Sequence, residues 1–462
     1  MREKNPLYVD IYQDIKQKIE HGHYNEGEKL SSIRTFSDTY GVSRNTIIKA
    51  LQELELEGFI KAVEKSGFYV LDMEHLYPQK RKTDRRHKSC YPNRSDYKLD
   101  CSHNAIAHQK LPISTMQKLY REVLAQGDYN FVYHSHPQGK QELRYAISRH
   151  LKQSRDMEVD ENCIVVSAGM EYLYQIILQL IEKNSIFGIE TPGYDVLPSM
   201  LEMNGFAYLE VPVDENGLNV EVLHHTNVNI QVVTPSHQFP TGCVMNIGRR
   251  KKLIEWAKGE RSRYLIEDDY DGEFKYSGKP IPTLFSMDEY GRTIYMGSFS
   301  KTIAPAMRIS YMVLPKSLMK VYSKKLPFMS CPVSSIQQEF LTRFLKENYY
   351  QRHINRMKYY YKKIHQSLKR ELMKYEIVES ISTTEIGLHI AVSLCVSEDE
   401  EEVVKRLREQ GILISGMKSF DRHGYYHRPT LLLGFGGMDP ETMEEDISHM
   451  MHIIDQGKEC KF

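Results

Sequence analysis

The heptapeptide Tyr295-Met296-Gly297-Ser298-Phe299-Ser300-Lys301 runs from an apolar strand end into small hydroxyl residues and a single lysine, and Arg308 follows seven residues on. A lysine leaving a buried strand can react as a neutral amine with an aldehyde. Ser298 and Ser300 beside it can hold a phosphate, with Arg308 offering a fork of N–H donors. Upstream stands Glu267-Asp268-Asp269-Tyr270, a carboxylate cluster closing another strand. Asp268 and Asp269 are adjacent on that strand, so they point to opposite faces and only one can face a ring beside Lys301. We assign that place to Asp268, with Tyr270 on the same face two residues on. A carboxylate against a pyridine nitrogen keeps it protonated. A phenol against the ring oxygen lowers the pKa of the Schiff base on the lysine. Aldehyde, phosphate, ring nitrogen and ring oxygen together describe pyridoxal 5′-phosphate, with Lys301 as its reactive residue.

Strands must deliver these side chains to one edge. From about residue 99 short apolar runs alternate with helical periodicity. Residues 164–167, 185–190, 206–211, 230–235, 264–268, 293–298 and 309–314 read as strands. This is the pattern of an α/β layer fold with a mainly parallel central sheet, which binds ligands at the carboxyl ends of its strands. Ala168-Gly169-Met170 follows one strand and opens a helix, offering backbone N–H groups to a phosphate. Tyr194, in Thr191-Pro192-Gly193-Tyr194, follows the next strand and can stack on a pyridine ring. The rigid loop from Thr234 to Gly242 follows another, and His237 or Gln238 can reach the cofactor from it.

The N-terminal 75 residues follow a different pattern. Leu7, Tyr8, Ile11, Ile15 and Ile19 recur at helical spacing. Ser31 or Ser32 can cap a second helix carrying Ile33, Phe36 and Tyr40. Gly41-Val42-Ser43 is a tight turn, and Ser43 can cap a third helix whose Ile47, Ile48, Leu51 and Leu54 face inward. Residues 59–63 and 67–71 form two short strands around Glu64-Lys65-Ser66. Two helices joined by a short glycine-containing turn make a helix-turn-helix, here with a wing. The second helix enters the major groove. Its exposed N-terminal residues Ser43, Arg44, Asn45 and Thr46, with Lys49 one turn on, are the candidate DNA contacts. Arg44 can fork onto guanine and Asn45 can pair with adenine. Arg34, Lys65 and the wing residue Gly67 complete the set as backbone contacts.

Residues 1–75 carry ten Lys/Arg against thirteen Asp/Glu, so attraction to DNA must be local. Residues 76–98 carry eight Lys/Arg against two Asp/Glu, contain two prolines and lack a hydrophobic period. They read as a basic flexible linker. The domains are therefore expected at 1–75 and 99–462, with a small α+β subdomain drawn from roughly 99–125 and 320–462. The seven cysteines are scattered, odd in number and without a CxxC pair. That fits reduced thiols in a cytoplasm, and no metal site is expected. No apolar run is long enough to span a membrane.

The stretches Glu28 to Arg34, Gly41 to Thr46 and Leu54 to Ile60 resemble the GntR family of winged-helix regulators. That family usually has Leu-Pro-Ser where Leu30-Ser31-Ser32 stands. Residues 99–457 resemble fold-type I aminotransferases. The matching stretches are Tyr133 to Gly139, Glu142-Leu143-Arg144, Thr191 to Tyr194, Thr234 to Gly242, Glu267 to Phe274, Gly297 to Lys301 and Pro305 to Arg308. The fused arrangement resembles the MocR subfamily of GntR regulators. The resemblance implies that Lys301 carries the cofactor, Asp268 meets the ring nitrogen and Tyr270 meets the ring oxygen. It implies that Tyr133 reaches the phosphate of a neighbouring subunit, in a head-to-tail homodimer that binds operator DNA. It also marks a departure. Many relatives hold a substrate carboxylate with an arginine where Leu432 stands in Leu431-Leu432-Leu433-Gly434-Phe435, and Arg428 is the candidate substitute. Three readings follow: a cofactor-dependent transcription regulator that senses an amino compound or a B6 vitamer, a working aminotransferase with an appended DNA-binding domain, and a plain repressor whose large domain only dimerises.

Overall fold

The computed structural model describes residues 6–71, 97–125, 135–278, 281–382, 384–424 and 426–456. Its chain divides into two compact units, Met1–Cys90 and Tyr91–Phe462. Tyr133 and nearly all of the basic stretch 76–98 lie outside the described residues.

In the first unit, helices α1 (Leu7–Glu20), α2 (Ile33–Tyr40) and α3 (Arg44–Leu56) precede strands β1 (Ile60–Val63) and β2 (Gly67–Val70). Ile11, Ile15 and Ile19 of α1 pack with Phe36 of α2 and with Ile47, Ala50, Leu51 and Leu54 of α3. Ser32, rather than Ser31, caps α2 by accepting from the Thr35 N–H. Gly41 ends α2 in the left-handed region at φ 63°, a conformation glycine adopts without a Cβ penalty. Ser43 then caps α3 by accepting from the Thr46 N–H at 3.3 Å. β1 and β2 form an antiparallel hairpin with Lys65, also left-handed, in its turn. Ile48 is only half-buried, whereas its neighbour Ile47 is fully buried.

The second unit opens with β3 (Leu99–Asp100). An eight-stranded sheet follows, built from β4 (Ile164–Ser167), β5 (Ile186–Thr191), β6 (Ala207–Asp214), β7 (Gly217–Leu218), β8 (Ile230–Val233), β9 (Tyr264–Asp269), β10 (Thr293–Ser298) and β11 (Ser310–Val313). The spatial order is β4-β11-β10-β9-β8-β5-β6-β7. The run from β10 to β6 is parallel, while β11 is antiparallel to both neighbours. β4, β8, β9 and β11 are buried almost throughout, which is why they read as apolar runs rather than alternations. The smaller sheet holds β12 (Val378–Ile381), β13 (His389–Leu394), β16 (Thr430–Gly434) and β15 (Ser415–Gly416), in that order. β14 (Ile412–Leu413) pairs in parallel with β3, so residues 99–100 lie with the C-terminal part of the chain. Among the described residues, no helix is long and apolar enough to cross a membrane.

Candidate cofactor and DNA sites

β9 and β10 lie side by side with Asp268 opposite Met296, so Asp268 and the turn to Lys301 emerge at the same end of the sheet. Lys301 Nζ donates to the His103 carbonyl at 3.2 Å and lies 4.6 Å from the centre of the Tyr270 ring. Burial pulls the Lys301 amine below its ordinary pKa, which favours the neutral nucleophile. The Asp268 carboxyl is pushed up to about 7 by burial, reinforced by Asp269 and Asp271 and opposed by the Tyr174 hydroxyl. That hydroxyl donates to Asp268 Oδ2 at 3.2 Å, while Oδ1 is buried with no partner.

Asp269 faces the other way. It forms a buried ion pair with Arg155 and accepts from the Tyr295 hydroxyl at 2.6 Å. Alternation along β9 therefore divides the two acids into one held by Arg155 and Tyr295 and one that meets only the Tyr174 hydroxyl. Tyr270 approaches His237 Nδ1 at 3.2 Å, and the same nitrogen lies 2.8 Å from Asp271 Oδ2. Burial, then Asp271 and Asp268, push the Tyr270 phenol well above its ordinary range, so it stays a donor. His237 Nε2 is buried without a partner. Gly387, at φ +78°, allows this close packing, because a Cβ there would lie 2.2 Å from His237 Cε1 and 2.5 Å from Asp271 Oδ2.

Gln238 is engaged differently from His237. Its amide nitrogen donates to the Pro192 and Phe239 carbonyls and its oxygen accepts from Thr241. The side chain therefore braces the loop. Arg250, wholly buried, clamps the same region by donating to the carbonyls of Met245, Pro282 and Pro235. Asp271, His103 and His389 join this site, although their places in the sequence do not single them out. His389 and His237 stack at 4.6 Å between ring centres, and one ligating atom each from His237, Asp271 and His389 lies within 4.8 Å of the others. Asp271 was legible as an acid one residue beyond Tyr270, but His103 and His389 come from distant segments that only the fold joins.

A polar cup lies beside Lys301. Ser167 of β4, Ser310 of β11 and Ser298 of β10 stand in register across three neighbouring strands. Ser310 Oγ donates to Ser298 Oγ at 2.9 Å, the Ser300 N–H donates to Ser298 Oγ at 3.1 Å, and Ser300 Oγ is buried without a partner. Gly169, at φ 109°, precedes the helix Met170–Leu180, which no side chain caps. The Arg308 guanidinium packs against this glycine, since a Cβ there would fall 2.2 Å from it. Arg308 is ion-paired with Glu171 in the first turn of that helix, so a carboxylate already sits on the arginine as an anion. Ala168 and Met170 are half-buried beside Gly169.

Tyr194 and Tyr270 both pack on an apolar cluster of Phe239, Phe420 and Leu432. The His103 ring contacts Phe239 at 4.9 Å and Phe420 at 6.2 Å. Leu432, fully buried, thus contributes to a hydrocarbon wall flanking the lysine. Arg428 is two-thirds exposed and ion-paired with Glu379, and it is not part of this wall. The site as a whole offers an amine with a lowered pKa, a carboxyl with an unpartnered oxygen, a phenol and a polar cup holding an arginine.

In the first unit Arg34, Ser43, Arg44, Asn45, Lys49 and Lys65 are exposed, and Thr46 is half-buried beside its capping serine. Gly67, at φ 128°, packs close to the Lys29 stem. Two acids of this unit are paired internally, Asp14 with Lys18 and Glu57 with Lys16.

Residues 96–449 match the aminotransferase class I and II family, and residues 7–70 match the gntR family of bacterial regulatory proteins. The fold and site define a fold-type I aminotransferase-like unit joined to a winged helix-turn-helix. The chain is 32% identical over 454 residues, 96% of each chain, to the HTH-type transcriptional regulator YdeL of Bacillus subtilis. It is 28% identical to the pyridoxine biosynthesis regulator PdxR of Corynebacterium glutamicum, over 98% of this chain and 97% of that one. A kynurenine aminotransferase of Pyrococcus horikoshii superposes with a TM-score of 0.70 at 23% identity, over 79% of this chain and 92% of that one. The chain belongs to the MocR subfamily of gntR-type transcription regulators, whose helix-turn-helix head binds operator DNA.

Proposed function

We propose that the chain holds pyridoxal 5′-phosphate on Lys301 and uses that site to sense an amino compound or a B6 vitamer, so that binding there alters operator recognition by the winged helix. One observation carries the reading: a depressed-pKa lysine amine stands beside a buried carboxyl with an unpartnered oxygen and a neutral phenol. Buried polar atoms without partners are uncommon in native proteins, and Asp268 Oδ1, Ser300 Oγ and His237 Nε2 are three in one cleft. Ring nitrogen, phosphate and ring oxygen would satisfy them in that order. Asp268 holds the ring nitrogen, Tyr270 and His237 the ring oxygen, and Ser298, Ser300, Arg308 and the helix after Gly169 the phosphate. Tyr194 faces the ring. Bound this way, the cofactor supplies an electrophilic carbon and an electron-accepting ring. The name of the relative PdxR, a pyridoxine biosynthesis regulator, supports the vitamer branch.

The apolar wall of Phe239, Phe420 and Leu432 supports a ligand whose tail, opposite its amine, is uncharged. On this reading the protein acts in the cytoplasm as a head-to-tail homodimer. Residues 76–98 serve as its basic tether between units at 1–75 and 99–462, and Tyr133 contacts the neighbouring subunit's phosphate. The test is the visible absorption of the purified chain and of Lys301→Ala, titrated with pyridoxal phosphate and then with amines, amino acids and vitamers. The parent is expected to develop a lysine-dependent band that shifts with one ligand class and stays shifted. Decay of the band with release of a keto acid would make the chain a working aminotransferase. A band unchanged in Lys301→Ala would refute the assignment.

A further inference from the structure

We infer that Glu171 sets the selectivity of the cup between phosphorylated and unphosphorylated ligands, as a built-in competitor for Arg308. The inference rests on the cofactor reading above and concerns a residue that this reading does not use. Glu171 sits in the first turn of the helix Met170–Leu180, where a carboxylate is favoured by the unpaired N–H groups and the helix dipole. Its Oε2 accepts from the Arg308 guanidinium. A Cβ on Gly169 would lie 3.0 Å from that same oxygen and 2.2 Å from the arginine. Arginine, helix terminus and carboxylate therefore converge at one point.

An incoming phosphate needs the donors that Glu171 now holds. It also brings a second negative charge to a place that has one already. Glu171 must swing away or tolerate the repulsion, and either lowers the affinity for a phosphorylated ligand. Both partners are partly exposed, at 47% for Arg308 and 40% for Glu171, so the carboxylate has solvent to move into and the penalty is modest. A vitamer without a phosphate does not contest Arg308 and escapes the penalty. A weakened but intact cup suits a protein whose cofactor occupancy is meant to vary, whereas a permanently loaded enzyme gains nothing from it. The salt bridge thus tunes a signal rather than building a fold.

The experiment compares the parent chain with Glu171→Gln and Glu171→Ala. Dissociation constants for pyridoxal phosphate and for pyridoxal are measured by lysine-dependent absorption, and ligand-induced thermal shifts provide a second readout. Both variants are expected to bind pyridoxal phosphate roughly two- to fivefold more tightly, with pyridoxal unchanged. The gain is expected to shrink at high salt and to vanish in an Arg308→Ala background. Equal tightening for both vitamers, or no change for either, would overturn the inference while leaving the cofactor reading in place. Weaker phosphate-dependent binding would also overturn it, by making Glu171 an organiser of Arg308. Failure of the parent to bind either vitamer at Lys301 would overturn both readings together.

Discussion

Asp268→Asn separates the cost of an empty site from the function of that site. Burial, with help from neighbouring acids, raises the Asp268 carboxyl from 3.8 to about 7. At about 1.4 kcal/mol per pKa unit, keeping it ionised in the folded chain costs on the order of 4 kcal/mol. The sign follows from which state holds the proton. Below about pH 4 the carboxyl is protonated whether the chain is folded or not, so the substitution is nearly neutral in charge. Between about pH 4 and pH 7 the unfolded chain releases the proton while the folded chain retains it. The parent therefore loses stability relative to the variant across that window, and the gap is constant above it. Asparagine keeps an oxygen for the Tyr174 hydroxyl but adds an N–H pair where Oδ1 has no partner. That offsets about 1–3 kcal/mol of the gain, leaving the cofactor-free variant about 1–3 kcal/mol more stable at pH 8. Denaturant titrations at pH 4.5 and pH 8, without and with pyridoxal phosphate, measure this. Cofactor at a hundredfold excess over its Kd should stabilise the parent by about 2.7 kcal/mol and the variant far less. A variant less stable than the parent at pH 8, or a difference flat with pH, would refute the reasoning.

Arg44→Ala should weaken specific operator binding by about 1–3 kcal/mol if the guanidinium is bidentate to guanine, read by titration against operator and scrambled duplexes. Equal weakening on both would reassign it to a phosphate. Asp269→Ala should destabilise the large unit by about 3–5 kcal/mol in denaturant titration, because it leaves Arg155 charged and unpaired in the interior. A change under about 1 kcal/mol would mean that water reaches Arg155. Leu432→Arg should invert ligand preference in the absorption assay, from an uncharged-tailed amine toward its carboxylated counterpart, by about 1.5–3 kcal/mol for a charge-assisted hydrogen bond. Unchanged preference would show that ligands do not reach the wall.

The catalytic-looking residues were legible because strand physics leaves a local signature. β9 and β10 are buried apolar runs ended by polar residues, so their boundaries and their functional termini coincide in sequence. Alternation alone predicted that Asp268 and Asp269 would part company, and the Arg155 pair shows where the second one goes. Arg155 itself was invisible, since a charge at the end of an exposed-looking helical pattern gives no sign of burial. Gln238 was harder to read for a related reason. A loop of polar residues advertises hydrogen-bonding groups but not whether the loop consumes them, and here Pro192, Phe239 and Thr241 do. His103 and His389 needed the fold, because one precedes the large sheet and the other belongs to the small one. In the head, capping serines at the starts of α2 and α3 and a left-handed glycine after α2 made those boundaries local, so most of it could be read.

A sensor requires that ligand binding change the energy of one state more than another. The cleft meets that requirement through what it leaves unpaired. Asp268 Oδ1, His237 Nε2 and Ser300 Oγ are buried without partners, and Asp268, Asp269 and Asp271 crowd a small volume. An unsatisfied buried polar group costs on the order of 1–3 kcal/mol, so a polar ligand that partners these atoms gains on that order at each. Alanine or leucine at these positions would remove that gain. Retaining it makes the free energy of the large unit depend steeply on whether a polar ligand is present, more steeply than an apolar pocket of the same size would allow. Glu171 moderates the opposite end of the same site by keeping Arg308 satisfied without ligand. The two ends then act differently: the ring end supplies the energetic difference, and the phosphate end sets the concentration at which that difference is felt.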